Sequence, residues 1–198
     1  MEHKKKIFIL ASLPSSIINF RIDLLRDLKN KKYEIHVGAP FLKCDKNILI
    51  QLKKEGFISH DIFLHRYSLN PFRELICFVS ILKTLLKIKP KIFIGYTIKP
   101  IIFGSLASHF LGIEKKIIII TGLGYFFSGK REFKDKFIKK LILICYKIIF
   151  SITTNIYFQN HHDLKIFQKL GFLRNCKNVS TMNGSGVNLN RFKKEILP

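Results

Sequence analysis

Two hydroxyl side chains and an arginine follow the first apolar run of the chain, and residues of these types could bind a phosphate. The run is IFIL at 7–10, and the segment after it is ASLPSSIINFR. The pattern predicts a helix that starts near Ser16, whose unpaired backbone N–H groups and positive dipole end attract anions. Ser15 and Ser16 would donate to the anion, with Arg21 one turn inside the helix. Alternatively, Ser15 or Ser16 only caps the helix.

A lysine at the start of another predicted helix offers a second anion site. The segment GYTIKP at 95–100 ends a strand-like run. Lys99 stands where the helix dipole disfavours a cation. A bound anion would explain this placement, with Thr97 as a nearby donor. The alternative is a lysine whose stem covers apolar surface while its ammonium group reaches water.

A third loop combines glycines with aromatic residues in TGLGYFFSGK at 121–130. Gly122 and Gly124 permit positive φ angles or a close approach of the backbone to a ligand, and Tyr125 follows at once. A ligand-contacting loop and a tight turn with core aromatics explain these residues equally well.

No acid–base pair or metal-ligand set accompanies the three loops. The sequence has no P-loop, no G-x-G-x-x-G, no G-x-S-x-G elbow and no spaced carboxylate pair in these loops. His161 and His162 are adjacent, so their side chains point apart, and we expect them to open a helix rather than to bind a metal. The residues therefore predict anion-binding loops without an evident acid or base.

The charge balance favours an anionic partner without choosing one. Among 198 residues, 35 lysines and arginines oppose 13 acidic residues, which gives a formal net charge of +22. Nucleic acid, an anionic membrane face and phosphorylated substrates all suit this charge. A lysine-rich composition is also typical of an AT-rich genome, and a nucleic-acid partner has only the charge in its favour, because no recognisable reading motif is present.

Cysteine spacing and hydropathy indicate a cytosolic protein without a membrane span. The four cysteines, with no C-x-x-C pair, are expected to be reduced thiols: Cys44, Cys77, Cys145 and Cys176. The basic start MEHKKKIFILAS has too few apolar residues for a signal sequence. The longest apolar run, LILICYKIIFSI at 141–152, is far shorter than the roughly 20 residues that cross a bilayer.

The elements that must position these loops alternate between strand and helix. Seven β-rich runs, at 7–10, 33–38, 60–65, 91–95, 116–121, 155–160 and 178–182, are separated by stretches of helical periodicity. This order predicts an α/β fold, a Rossmann-like parallel sheet of about seven strands with helices on both faces. In such a sheet, ligands bind beyond the carboxyl ends of the strands, where the three loops lie.

Three helices can be located in the sequence from their periodicity and end signals. One runs from Pro71 to about Lys87, with Asn70 as its cap. Others run from about Pro100 to Leu111, with Gly112 as the stop, and from about Arg131 to Phe150. The spacing predicts one buried face on the first of them, formed by Leu75, Phe78, Val79, Leu82, Leu85 and Leu86.

Five segments in register resemble the N-terminal half of bacterial family-4 glycosyltransferases that build surface polysaccharides and lipid-linked oligosaccharides. The segments begin NFRIDLLRDLKN, SLNPFRELICF, IIIITGLGYFF, YFQNHHDLKIF and NGSGVNLNRF, and they cover nearly the whole chain. The resemblance implies one half of a GT-B fold. In that fold, an acceptor-binding and a donor-binding Rossmann-like domain face each other across a cleft.

The resemblance also implies roles for the loops. Ser15 and Ser16 would face the donor diphosphate, Lys99 would match a common basic residue, and Gly122 to Tyr125 would line the acceptor side. Many relatives carry a catalytic histidine in that last loop, and this sequence has none between His109 and His161. The resemblance implies that no metal or other cofactor is required, because the leaving diphosphate of the nucleotide-sugar takes the acceptor's proton.

The expected organisation is an acceptor-binding domain at 1–183 and the start of an interdomain hinge at 184–198. The hinge residues would be Gly184, Ser185, Gly186 and Val187, followed in relatives by a donor-binding half that this sequence lacks. We therefore expect a chain that is inactive alone. The alternative is a non-catalytic subunit that docks on the membrane and recruits a separate donor-binding chain.

The resemblance favours an anionic membrane surface, the inner face of the plasma membrane, as the partner that uses the charge. Two predicted helices, 71–87 and 131–150, combine apolar faces with basic residues: Arg73, Lys83, Lys87, Lys134, Lys136, Lys139, Lys140 and Lys147. Each basic residue near such a surface contributes about 1 kcal/mol to binding.

Overall fold

Seven short strands form one parallel sheet, as the sequence predicts. The computed structural model describes residues 4–123 and 133–186. Isoleucine, valine and phenylalanine fill most strand positions because branched and aromatic side chains pack well on a pleated surface. The strands are β1 Lys6–Leu10, β2 Glu34–Ala39, β3 Ile58–Asp61, β4 Ile92–Tyr96, β5 Lys115–Ile120, β6 Asn155–Phe158 and β7 Val179–Thr181. All neighbouring pairs are parallel, in the order β3-β2-β1-β4-β5-β6-β7.

The third strand begins and ends earlier than the predicted 60–65. Ile62 N still donates to the carbonyl oxygen of Ala39, the last residue of β2, and β2 offers no partner beyond it. Ile62 and Leu64 are buried while Phe63 and His65 are not, so the alternation continues outside the sheet. This alternation explains why the sequence pattern overstates the strand.

The helices lie between the strands as expected. They are α1 Pro14–Phe20, α2 Ile22–Asn30, α3 Lys46–Lys54, α4 Pro71–Ile88, α5 Ser105–Phe110, α6 Phe133–Ile152 and α7 His161–Lys169. Asn70 caps α4 by accepting hydrogen bonds from the backbone N–H groups of Phe72 and Arg73. In place of one helix from Pro100 to Leu111, a π-helical turn at Pro100–Gly104 runs into α5.

Helices cover both faces of the sheet, because successive strand residues point to opposite sides. Ile7 and Ile9 of β1 face a core that α1, α2 and α3 cover. Phe8 and Leu10 face the other side, beneath α4 and α5. Further along the same side, β5 and β6 pack beneath α6 and α7.

Two glycines leave room for one aromatic ring of this core. A Cβ at Gly95 would come within 2.9 Å of Phe93 Cζ. A Cβ at Gly104 would overlap the same ring more severely and would reach Leu10 as well. The π-helical turn therefore packs directly against β4 only because its last residue has no side chain.

The predicted buried face of α4 is wrong in half of its residues. Cys77, Ile81, Leu85 and Ile88 are buried, whereas Leu75, Val79 and Leu86 are exposed. The helix is apolar on nearly all sides, so periodicity alone cannot say which stripe meets the sheet. Its outward stripe remains in contact with solvent.

Candidate functional site

The strand order reverses between β1 and β4, and the carboxyl ends of these two strands form the edge where ligands bind in open parallel sheets. Two segments converge there: residues 11–16, which follow β1 and include the start of α1, and residues 97–100, which follow β4 and lead into the π-helical turn. We call the space between them the switch-point crevice. Four of the predicted site residues, Ser15, Ser16, Thr97 and Lys99, lie on these two segments.

The helix α1 begins two residues earlier than predicted, which changes the roles of both serines. Leu13 occupies the N-cap position and provides no side-chain cap. Ser16 Oγ donates to the carbonyl oxygen of Leu13 at 2.6 Å and lies 2.9 Å from the Tyr96 hydroxyl. Since a serine has one hydroxyl proton, Tyr96 must be the donor of the second bond. Ser16 therefore has no proton left for an anion, and neither serine caps the helix.

Burial raises the pKa of Tyr96 to about 12, so its hydroxyl remains a donor at neutral pH. Ser15 and Ser16 are both partly exposed, but unlike the Ser16 hydroxyl, the Ser15 hydroxyl makes no hydrogen bond within the described part of the chain. Ser15 is thus the serine of the pair that can donate to a ligand.

Thr97 adopts a left-handed backbone conformation with φ of 68°. This region is unfavourable for a β-branched residue and costs on the order of 1–3 kcal/mol. Thr97 Oγ1 donates to Ser12 Oγ at 2.9 Å and so links the two loops of the crevice. Sequence analysis missed Ser12, although its hydroxyl so close to the end of a strand was a usable signal.

Lys99 is fully engaged inside the protein. Its Nζ donates at 2.6 Å to each of three acceptors, the carbonyl oxygens of His65 and Ser68 and Oε1 of Glu74. The lysine and glutamate side chains are 14% and 20% exposed, so the pair is mostly shielded from water. The anion that explains a lysine at this position is therefore Glu74 of α4. A direct contact between Lys99 and a substrate stays a prediction.

Arg21 lies at the junction of α1 and α2 rather than one turn inside a helix, and it is 3% exposed. One guanidinium nitrogen donates to the carbonyl oxygen of Phe20 at 2.9 Å and to Ser185 Oγ at 3.0 Å. The guanidinium carbon is 4.9 Å from the centre of the Tyr96 ring.

The charge of Arg21 is poorly compensated. Within the described residues it forms no ion pair, and its buried Nε has no hydrogen-bond partner. Burial lowers the pKa of this guanidinium from its ordinary value. A buried cation without a carboxylate is unfavourable, and an anion bound nearby would offset part of the cost.

The predicted hinge begins as a turn that is attached to the domain. Gly184 and Gly186 have φ angles of 67° and 77°, which favour glycine. Between them, Ser185 Oγ accepts hydrogen bonds from Arg21 and from Gln159 Nε2, the latter at 2.9 Å. Val187 lies outside the described residues.

Of the third predicted loop, only the beginning is described. Gly122 follows β5 with φ of 148°, and among the described residues other than its chain neighbours no atom lies within 4 Å of the position that a Cβ would take there. Gly124 and Tyr125 lie outside the described residues.

A chain of polar residues that sequence analysis did not single out runs across β2 and β3. His36 Nε2 lies 2.7 Å from Glu34 Oε1, and His36 Nδ1 lies 2.9 Å from His60 Nε2. Burial, followed by the charges of His36 and Lys87, lowers the pKa of His60 to about 4. In the described part of the chain, no group of three or more histidine, cysteine or acidic residues could hold a metal ion.

The outer surface of α4 and α6 is unusually apolar. We define the docking face as the exposed residues Phe72, Leu75, Ile76, Val79 and Leu86 of α4 and Phe137, Leu141, Ile144 and Ile148 of α6. The short helix α5 contacts both helices and lies between them. Exposed lysines accompany the apolar residues, including Lys83 and Lys87 on α4 and Lys136, Lys140 and Lys147 on α6. Among the described helices, none is long and apolar enough to span a bilayer.

The family of this chain follows from a match over most of its length. The glycosyl transferase 4-like family matches residues 7–160, which include all but the first residue of β1, the strands β2 to β6 and the switch-point crevice. The chain belongs to this family. Membership confirms the resemblance found in the sequence, and the topology confirms the Rossmann-like α/β fold.

Individual relatives of this glycosyl transferase 4-like chain are distant. N,N'-diacetylbacillosaminyl-diphospho-undecaprenol alpha-1,3-N-acetylgalactosaminyltransferase of Campylobacter jejuni is 26% identical over 187 residues, 94% of this chain and 48% of that enzyme. The structure of Acinetobacter baumannii MurG superposes with a TM-score of 0.59 at 13% identity, over 93% of this chain and 46% of that one.

An epimerase has the same fold. UDP-GlcNAc 2-epimerase from Neisseria meningitidis, bound to UDP-GlcNAc, has a TM-score of 0.60 at 12% identity, over 90% of this chain and 47% of that one. At such identities the structural likeness shows the fold alone. The chain spans about half the length of the relatives that it matches.

Proposed function

We propose that this chain is the acceptor-binding part of a retaining glycosyltransferase. It would help to move a sugar from a nucleotide-sugar donor to a lipid-linked glycan acceptor in surface polysaccharide synthesis. The family match over residues 7–160 carries the proposal. The Campylobacter relative is named for an acceptor on diphospho-undecaprenol, which supports a lipid-linked diphosphate as the acceptor class.

The switch-point crevice has groups that suit the two substrates of such a transfer. The hydroxyl of Ser15 would donate to a phosphate oxygen of the donor diphosphate, and the acceptor would lie on the β5 side, near Gly122. Arg21 would contribute its charge from beneath the crevice without direct contact, because it is 3% exposed. In a low-dielectric surrounding, an unpaired guanidinium attracts an anion more strongly than a solvated one does.

The turn at residues 184–186 would begin a hinge, and a donor-binding half would supply the other wall of the cleft. Sugar transfer needs both walls to position the two substrates and to exclude water. No cofactor besides the nucleotide-sugar co-substrate is proposed.

The test is to incubate the 198-residue protein with UDP-N-acetylhexosamine and a fluorescent prenyl-diphospho-N-acetylhexosamine. We expect the labelled acceptor to bind, as measured by fluorescence anisotropy, and no sugar to be transferred. Adding a donor-binding half as a second chain should restore transfer. A wild-type protein that does not bind the acceptor would refute acceptor binding, and turnover by the protein alone would refute the need for a donor-binding half.

We also propose that the docking face binds the cytoplasmic leaflet of the plasma membrane. Large apolar side chains that are more than a third exposed, interleaved with lysines, suit the boundary of an anionic bilayer better than water. Such a location would bring the crevice to its lipid-linked substrate. This proposal also accounts for part of the net charge of +22.

Flotation with liposomes tests the docking face. We expect binding to vesicles of phosphatidylglycerol and phosphatidylcholine, and weak binding to phosphatidylcholine alone. Leu75→Asp should abolish flotation, whereas Ile50→Asp on α3 should not, although Leu75 and Ile50 are similarly exposed, at 60% and 53%. Equal binding to both vesicle types, or equal loss in both variants, would contradict the proposal.

The docking face also supports the alternative of a non-catalytic subunit that recruits a separate donor-binding chain. Co-purification separates the two functions. A chain that floats with anionic vesicles and captures a donor-binding partner, yet binds no glycan acceptor, would favour the subunit. Acceptor binding that survives the loss of membrane binding in Leu75→Asp would favour the transferase half.

A further inference from the structure

An exposed aromatic group lies on the same edge of the sheet as the switch-point crevice, two strands away from it. Phe41 follows the end of β2, and Phe63 and His65 follow the end of β3. The two phenylalanine rings each make an edge contact with the His65 ring, with centroids 5.8 Å and 5.0 Å apart. We call Phe41, Phe63 and His65 the aromatic site.

Core packing does not explain these residues. Phe41 is 57% exposed and Phe63 is 40% exposed. Phe41 also adopts φ of 56°, a conformation that is unfavourable for a bulky residue and that glycine would adopt without strain. A phenylalanine that neither fills the core nor suits its backbone is an unusual feature, and such outliers cluster at ligand sites.

The site is nonetheless held rigidly. Ile62 and Leu64 are buried on either side of Phe63, and the Phe63 N–H donates to Ser80 Oγ of α4 at 3.0 Å. The carbonyl oxygen of His65 accepts one of the three hydrogen bonds of Lys99. The ring nitrogens of His65 have no hydrogen-bond partner in the described part of the chain. The loop therefore presents exposed aromatic rings on an anchored backbone, together with an imidazole that can hydrogen-bond to a ligand.

We propose that the aromatic site binds a pyranose ring of the glycan acceptor. The C–H face of a sugar packs on aromatic rings, while its hydroxyl or acetamido groups need a polar partner, which His65 provides. An isoprenoid chain has no polar group that could form a hydrogen bond with the imidazole. Strands β3 and β1 are two positions apart in the sheet, roughly 10 Å. A sugar at the aromatic site would therefore be at least one residue away from the reacting sugar.

The inference rests on the proposed acceptor function, and titration by NMR tests it on the 198-residue protein. The probes are the methyl glycosides of N-acetylglucosamine and N-acetylgalactosamine. We expect at least one of them to shift the ring signals of His65. Phe63→Ala should weaken binding by about five- to ten-fold. Phe110→Ala is the matched control, because Phe110 is 67% exposed on α5, away from this edge, and should bind as the wild type does.

A second variant separates binding from folding. Phe41→Gly relieves the strained backbone, so its thermal midpoint should be no lower than that of the wild type while its sugar affinity falls. Unchanged affinity in both Phe41→Gly and Phe63→Ala, or no shift with either glycoside in the wild type, would overturn the inference.

Repeating the titration with a prenyl-diphospho-disaccharide, which carries a second sugar beside the reacting one, distinguishes this failure from that of the proposed function. If the wild type binds the lipid-linked acceptor and Phe63→Ala binds it equally well, the proposed acceptor function is supported and sugar binding at the aromatic site is refuted. If the glycosides bind at the aromatic site but the lipid-linked acceptor does not bind, sugar binding at the aromatic site is supported and the proposed acceptor function is refuted.

Discussion

Replacing Lys99 by methionine should destabilise the fold by about 3 kcal/mol. Each of the three hydrogen bonds of Lys99 is charge-assisted, and such bonds contribute about 1.5–3 kcal/mol. Their sum would overestimate the loss, since Glu74 is 20% exposed and water can reach it after the substitution. Breaking a buried pair by removing one partner costs about 3–5 kcal/mol, and we take the lower end for this exposure.

The assay is thermal and urea unfolding in phosphate-free buffer. A loss of about 3 kcal/mol in a chain of this length lowers the midpoint by roughly 6–12 °C. Lys91→Met is the matched control. Its 4.0 Å pair with Glu114 joins side chains that are 63% and 66% exposed, and its loss should change stability by less than about 0.5 kcal/mol. Adding Glu74→Leu to Lys99→Met should recover part of the loss, because no unpaired carboxylate then remains.

Two results would refute this reasoning. A Lys99→Met variant within about 1 kcal/mol of the wild type would mean that the three hydrogen bonds contribute little net free energy. A loss of stability that appears only when diphosphate is present would mean that Lys99 acts mainly by binding an anion, as the sequence-based hypothesis holds.

Three further predictions concern other parts of the fold. The pKa of His60 is lowered to about 4, so the unfolded chain binds a proton between pH 6.5 and 4 that the folded chain does not. Stability should therefore fall by about 1 to 2 kcal/mol as the pH drops through this range, after allowance for partial exposure, and urea unfolding of His60→Gln should lack that dependence. Gly104→Ala should cost about 1–3 kcal/mol in urea unfolding, because its Cβ would overlap the Phe93 ring. Arg21→Met should leave the thermal midpoint nearly unchanged but weaken the binding of inorganic pyrophosphate in calorimetric titration, because it removes a buried charge without a carboxylate partner.

The strands and helices could be predicted because local patterns determine them. Isoleucine-rich runs bounded by turn residues mark the strands, and Asn70 followed by Pro71 marks the start of α4. The stripe of α4 that meets the sheet could not be predicted in the same way. The helix has two apolar stripes, and only the docking of α4 onto β1 and β4 decides which one is buried.

The candidate site was located by its loops, and the partners of its residues were missed. Glu74 is 25 residues before Lys99, and Ser185 is 164 residues after Arg21. Neither separation leaves a periodic trace in the sequence, because the contacts arise only when the crossover through α4 and the turn after β7 are in place. The start of α1, predicted near Ser16, was placed too late for a different reason. Pro14 starts α1 two residues early and turns the Ser16 hydroxyl towards Leu13 and Tyr96.

The contacts of the two cations near the switch-point crevice favour different roles for them. Lys99, whose place at a helix start favours an anion-binding role, has its charge balanced by Glu74 and holds the loop that carries His65. Arg21, predicted one turn inside a helix at the same anion site as Ser15 and Ser16, has no carboxylate partner in the described residues and lies against Tyr96 beneath the crevice. A neutralised ion pair exerts little electric field beyond its own contact, whereas an unpaired buried charge exerts a field at longer range. The attraction of this edge for a diphosphate should therefore come chiefly from Arg21. The crevice would then attract an anion through a residue that the anion does not touch, with the Ser15 hydroxyl as the direct contact.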